Sequence, residues 1–116
     1  MINLDYKSRV PIYEQIVMEI ERYVALNILK ENDKIPSIRQ MAIDLGINPN
    51  TVKKAYTILE NKGVITSHST KGTYISNSTK KIVDKKIEEG IRDIKDKIIE
   101  LEKLGIKKED IIDRIK

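Results

Sequence analysis

Four side chains in the middle of this chain, Asn50, Lys53, Lys54 and Thr57, recur at helical spacing. In a helix they share one face. That face offers amide, ammonium and hydroxyl groups and no carboxylate. Lysine supplies charge for phosphate oxygens, and Asn and Thr can hydrogen-bond base edges or phosphates. Lys71 sits further on, beside Gly72 in a turn-forming stretch, with His68 close by. Other chemistries lack their parts. There is no Cys and one His, so disulfides and Cys/His zinc sites are excluded. No glycine-rich phosphate loop or catalytic cluster is present, which argues against an enzyme and against a cofactor. A lone His68 is no metal site.

The charge distribution agrees. The chain of 116 residues carries 22 basic and 18 acidic side chains, a net +4. Between Leu45 and Val83 the bases are Lys53, Lys54, Lys62, Lys71, Lys80 and Lys81, and the acid is Glu60. A local basic stretch of this kind suits a phosphate-binding surface, and also occurs as a solvated lysine face.

The elements that must position these groups are legible from apolar periodicity. Pro11 opens a helix with Ile12, Ile16, Ile20 and Val24 on one face. Glu14, Glu19, Glu21 and Arg22 fall mostly on the other. Asn27 and Asn32 suit left-handed turn positions. Ser37 followed by Gln40 is a capping box, and the short helix it starts stops at Gly46. Asn48 and Pro49 start another, with Val52, Ala55, Tyr56 and Leu59 facing inward. Ser37 and Asn48 are thus preferred caps as well as candidate DNA contacts. The runs Val64–Ser67 and Thr73–Ser76 read as a β-hairpin around a glycine-containing loop. Asn77, Ser78 and Thr79 read as a polar link.

Helix, short helix, tight turn, helix and hairpin is the order of a winged helix-turn-helix. The fold class is therefore mainly α with a small β-hairpin, a winged helix-turn-helix domain over 1–77 followed by a short helical dimerisation tail over 78–116. Such a fold braces one helix so that it enters a major groove. In the tail, Ile87, Ile91, Ile94, Ile98 and Leu101 recur at spacings of four, three, four and three, a short heptad seam. A two-fold dimer through that seam would match a palindromic operator.

The stretches Ile35-Pro36-Ser37-Ile38-Arg39-Gln40-Met41-Ala42, Gly46-Ile47-Asn48-Pro49-Asn50-Thr51-Val52-Lys53-Lys54-Ala55-Tyr56, Leu59-Glu60-Asn61-Lys62-Gly63 and Lys71-Gly72-Thr73-Tyr74-Ile75 together resemble the gluconate-repressor (GntR) family. The tail, ending in Gly105-Ile106-Lys107-Lys108-Glu109-Asp110-Ile111, resembles the YtrA-type subfamily. The resemblance implies a bacterial regulator that binds double-stranded operator DNA as a homodimer. YtrA-type members usually repress and often control transporter operons. It further implies DNA contacts from Arg39, from Asn48, Asn50, Thr51 and Lys53, and from the wing tip at Lys71 and Gly72. Asn27 and Asn32 stand where glycines are frequent in the family. Thr70 stands where the wing usually has another glycine, and its side chain would hold the backbone away from a phosphate.

The remaining expectations are negative or open. No apolar run reaches the roughly 20 residues of a membrane span. The N-terminus lacks signal-peptide regions, so the expected location is the cytoplasm. The residues after Ser76 are too few for a separate effector domain, and nothing identifies a small-molecule effector. A protein–protein or RNA-binding adaptor on the same fold stays open here, because fold does not fix function. Salt-dependent, sequence-selective duplex binding separates the two.

Overall fold

The computed structural model describes residues 2–68 and 70–116. Met1 lies outside the described residues, as does Ser69, which falls within the expected hairpin loop. The chain forms two compact units, Met1–Val83 and Asp84–Lys116.

The first unit contains α1 (Ile12–Ala25), β1 (Lys34–Ile35), α2 (Ile38–Leu45), α3 (Pro49–Asn61), β2 (Ile65–His68) and β3 (Gly72–Ile75). α1 and α2 both pack on α3, and α3 packs on β2. The inward faces expected for α1 and α3 are the ones buried: Ile16, Ile20 and Val24 meet Val52, Ala55, Tyr56 and Leu59 in one core. That core is aliphatic apart from Tyr23 and Tyr56, as a chain without Phe or Trp requires. Asn27 and Asn32 adopt left-handed backbone, φ 61° and 69°, which Asn tolerates better than other non-glycine residues.

One local expectation is extended by the structure and two need correction. The hairpin is part of a three-stranded antiparallel sheet in the order β1-β3-β2. The extended residues before Pro36 supply the third strand, with Lys34 opposite Tyr74 and Ile35 opposite Thr73. Two residues are too short a run to show alternation, so periodicity could not reveal them. Glu21 does not lie on the solvent face of α1. It is buried, with the Lys62 ammonium 3.7 Å from its carboxylate. Thr79 is more than a link. It begins α4 (Thr79–Lys103), is fully buried, and donates its hydroxyl to the Val64 carbonyl at 2.6 Å.

The second unit holds most of α4, and α5 (Lys108–Ile115) after a break at Gly105. Ile87, Ile91 and Ile94 are exposed, and Ile98 and Leu101 are half-buried. Among the described residues no helix is long and apolar enough to cross a membrane.

Candidate nucleic-acid interface

The interface is built from α3 outward. Asn48 caps α3, its side-chain oxygen accepting the Asn50 N–H at 2.8 Å. Pro49 at the first turn has no N–H to leave unsatisfied. The start of α3 therefore has fixed geometry and a partial positive charge at its exposed end. Val52, Ala55, Tyr56 and Leu59 anchor one side of the helix in the core. Burying them turns Asn50, Lys53, Lys54 and Thr57 outward, where all four are exposed. Thr51 is half-buried.

α2 braces this helix. The Ser37 hydroxyl oxygen caps it by accepting the Gln40 N–H at 3.1 Å. The expected reciprocal half of the capping box is not made. Gln40 instead donates its side-chain amide to Asp44 at 2.7 Å, one turn along. At the other end Gly46 takes φ 66°, closing α2 in a left-handed cap before the turn into α3. A deeper tie joins α3 to the start of α2. The Tyr56 hydroxyl donates to the Pro36 carbonyl at 2.6 Å. Burial pushes the Tyr56 hydroxyl well above its ordinary value, so it stays a donor across the working pH range. Arg39, in the first turn of α2, is exposed and pairs with no acid among the described residues.

The basic stretch is partly consumed by the fold. Lys62 pairs with buried Glu21, and Lys80 donates to the Ala25 carbonyl at 3.1 Å. The Lys54 ammonium lies 4.0 Å from the centre of the Tyr13 ring, a cation–π contact that holds it against α1. Glu60, the acid of that stretch, accepts a hydrogen bond from Ser67 at 2.7 Å. Lys53 and Lys71 remain exposed and without an acidic partner among the described residues.

The hairpin keeps the candidates His68 and Lys71 near each other, since both border one concavity with Tyr74. His68 is the last residue of β2, opposite Gly72, and not a loop residue. Its ring meets Tyr74 edge-on, with centroids 5.8 Å apart. The Tyr74 hydroxyl in turn donates to the Lys71 carbonyl at 2.8 Å. On the side toward α2, a groove of about 630 Å³ brings Ser37, Lys71, Gly72 and Thr70 together with Lys34 and Gln40. Lys34 was not singled out in the sequence. Its role in the groove depends on the β1–β3 pairing, and a two-residue strand left no periodic signal. Among the described residues no cluster of His, Cys, Asp or Glu could hold a metal ion.

Comparison with known proteins gives these features a context. Residues 12–75 match the family described as bacterial regulatory proteins, gntR family. The whole chain is 38% identical to the HTH-type transcriptional repressor YtrA of Bacillus subtilis, over 90% of that protein. A transcriptional regulator from Oenococcus oeni superposes with a TM-score of 0.77 at 37% identity, covering 97% of this chain and 93% of that one. A transcriptional antiterminator from Listeria monocytogenes EGD-e superposes with a TM-score of 0.72 at 42% identity, covering 99% and 87%.

Proposed function

This chain belongs to the gntR family of bacterial regulatory proteins, DNA-binding transcription regulators and not enzymes, and from that premise we propose that it is a repressor that binds a palindromic operator as a homodimer. The observation that carries the reading is the outward face of α3. Asn50, Lys53, Lys54 and Thr57 stand exposed and free of carboxylates on a helix whose start is fixed by Asn48 and whose seat is braced by α2. A helix of this kind fits a major groove, where side chains at its N-terminal end reach base edges.

Roles follow from position. Asn50 and Thr51, in the first turn of α3, read bases. Lys53 and Lys54 bind phosphates, and the Tyr13 ring orients Lys54. Arg39 enters from α2. Ser37 and Asn48 cap their helices and offer their remaining polar atoms to the backbone. Lys71 and Gly72 approach from the hairpin turn, and His68 from its outer face beside Tyr74. The division of labour is a DNA-binding domain over 1–77 and a dimerisation tail over 78–116. The exposed isoleucines at 87, 91 and 94 support dimerisation, because a heptad seam needs a second helix to cover it. The repressor function of the Bacillus subtilis relative supports the sign of regulation. Control of a transporter operon, in the cytoplasm, completes the reading, and its effector is unidentified.

Selection from a random duplex pool tests it. The wild-type chain should enrich an inverted repeat, and Arg39→Ala should not. Enrichment of a single unrepeated site would contradict the dimer, and no enrichment would contradict sequence-selective binding.

A further inference from the structure

Resting on that duplex-binding reading, we infer that the groove between β1, the start of α2 and the hairpin turn is a phosphate slot, in which Lys34 and Lys71 clasp a backbone phosphodiester of the bound duplex. The groove holds two lysines and no acid. Its polar lining is Lys34, Lys71, Ser37, Gln40, Thr70 and Thr73. Two ammonium groups beside one concavity repel each other, and an anion between them removes the repulsion. The groove adjoins α2, the element that carries Arg39, and the Tyr56–Pro36 hydrogen bond ties its floor to α3. A phosphodiester there would be held by the same rigid unit that presents the α3 face.

Lys34 is placed by the backbone. β1 pairs with β3, which sets Lys34 opposite Tyr74. Its side chain then crosses the hairpin at Gly72. A Cβ added to Gly72 would lie 2.9 Å from the Lys34 Cε and 3.6 Å from its Nζ. Gly72 also has φ +105°, a backbone state that other residues rarely adopt. The glycine thus clears a path for the lysine stem. This resolves the departure at Thr70. The turn does not need a second glycine to bring bare backbone to a phosphate, because lysine side chains reach it and Thr70 adds a hydroxyl to the lining. Phosphate contacts of this sort position the protein and carry no sequence information.

The test is duplex binding across a salt series by the full chain and by Lys34→Met. Methionine keeps an apolar stem over Gly72 and deletes the charge. One lost phosphate contact lowers the slope of log affinity against log salt by about 0.9, roughly an eightfold change between 1 M and 0.1 M salt. The loss should be equal on the preferred duplex and on a scrambled one, and Lys71→Met should repeat it. A second arm titrates inorganic phosphate while following the Thr70 and Gly72 amide resonances of wild type and Lys34→Met. A reduced slope in both variants supports the phosphodiester assignment. An unchanged slope, with phosphate-dependent shifts that Lys34→Met abolishes, assigns the slot to free phosphate and overturns the duplex claim. An unchanged slope with no shifts overturns the slot while leaving duplex binding intact. A wild-type chain that binds no duplex overturns the underlying reading and the phosphodiester assignment with it.

Discussion

Replacing Tyr56 with Phe removes one oxygen and tests the joint on which the interface rests. Tyr56 is 1% exposed, and its hydroxyl donates to the Pro36 carbonyl at 2.6 Å. The ring keeps its place in the core, so packing changes little. What is lost is a hydrogen bond, and the Pro36 carbonyl loses its protein partner. Leaving such a group unsatisfied costs about 1–3 kcal/mol. Pro36 is only half-buried, so water can reach part of it, and about 1.5 kcal/mol is the reasonable value. For a unit of this size that lowers the melting temperature by roughly 6–12 °C. Thermal unfolding followed by far-ultraviolet circular dichroism reads the shift. A pH series adds a second, independent readout. Burial raises the Tyr56 hydroxyl above its ordinary value of 10.0. The native state therefore holds that proton more tightly than the unfolded chain does. The resulting contribution is whole below about pH 10 and is lost as pH rises through the native value. Wild type should lose stability above pH 10 more steeply than Tyr56→Phe. A melting temperature within about 2 °C of wild type, with parallel alkaline limbs, would refute the claim that this bond locks α2 to α3.

Three further outcomes are expected. Ile94→Asp with Ile98→Asp should leave the fold of the first unit intact, halve the mass seen by light scattering, and weaken duplex binding; a retained dimer mass would contradict the seam. Thr79→Val deletes a buried hydroxyl that donates to the Val64 carbonyl at 2.6 Å and lies 2.8 Å from the Ser76 carbonyl, and should cost about 1–3 kcal/mol in urea unfolding. Asn48→Ala removes the cap on α3 and should cost about 1 kcal/mol, with weaker duplex binding as the first turn frays; unchanged stability would show that the cap is dispensable.

Much of this architecture was legible because strong local signals agree with one another. Ser37, Gly46, Asn48 and Pro49 are punctuation with a known mechanism, and each sits where that mechanism places it. The helical period of Val52, Ala55, Tyr56 and Leu59 fixed which side of α3 faces inward, and so which side chains stand outside. What escaped the sequence depends on contacts distant along the chain. β1 exists because Lys34 and Ile35 find Tyr74 and Thr73 some forty residues later. Glu21 looked like a surface acid because its compensating partner, Lys62, belongs to another element. The Tyr13 ring that orients Lys54 likewise belongs to another element, α1. The outline of the candidate site was legible in α3 and the hairpin turn, with Arg39 implied by the family resemblance. The groove with Lys34 required the tertiary fold.

The most direct measurement is fluorescence anisotropy of the wild-type chain with a selected operator duplex and with a scrambled duplex of equal length, across a salt series. The account predicts tighter binding to the operator at every salt concentration, with affinity for both duplexes falling steeply as salt rises. Equal affinity for the two duplexes, or no binding to either at low salt, would contradict it.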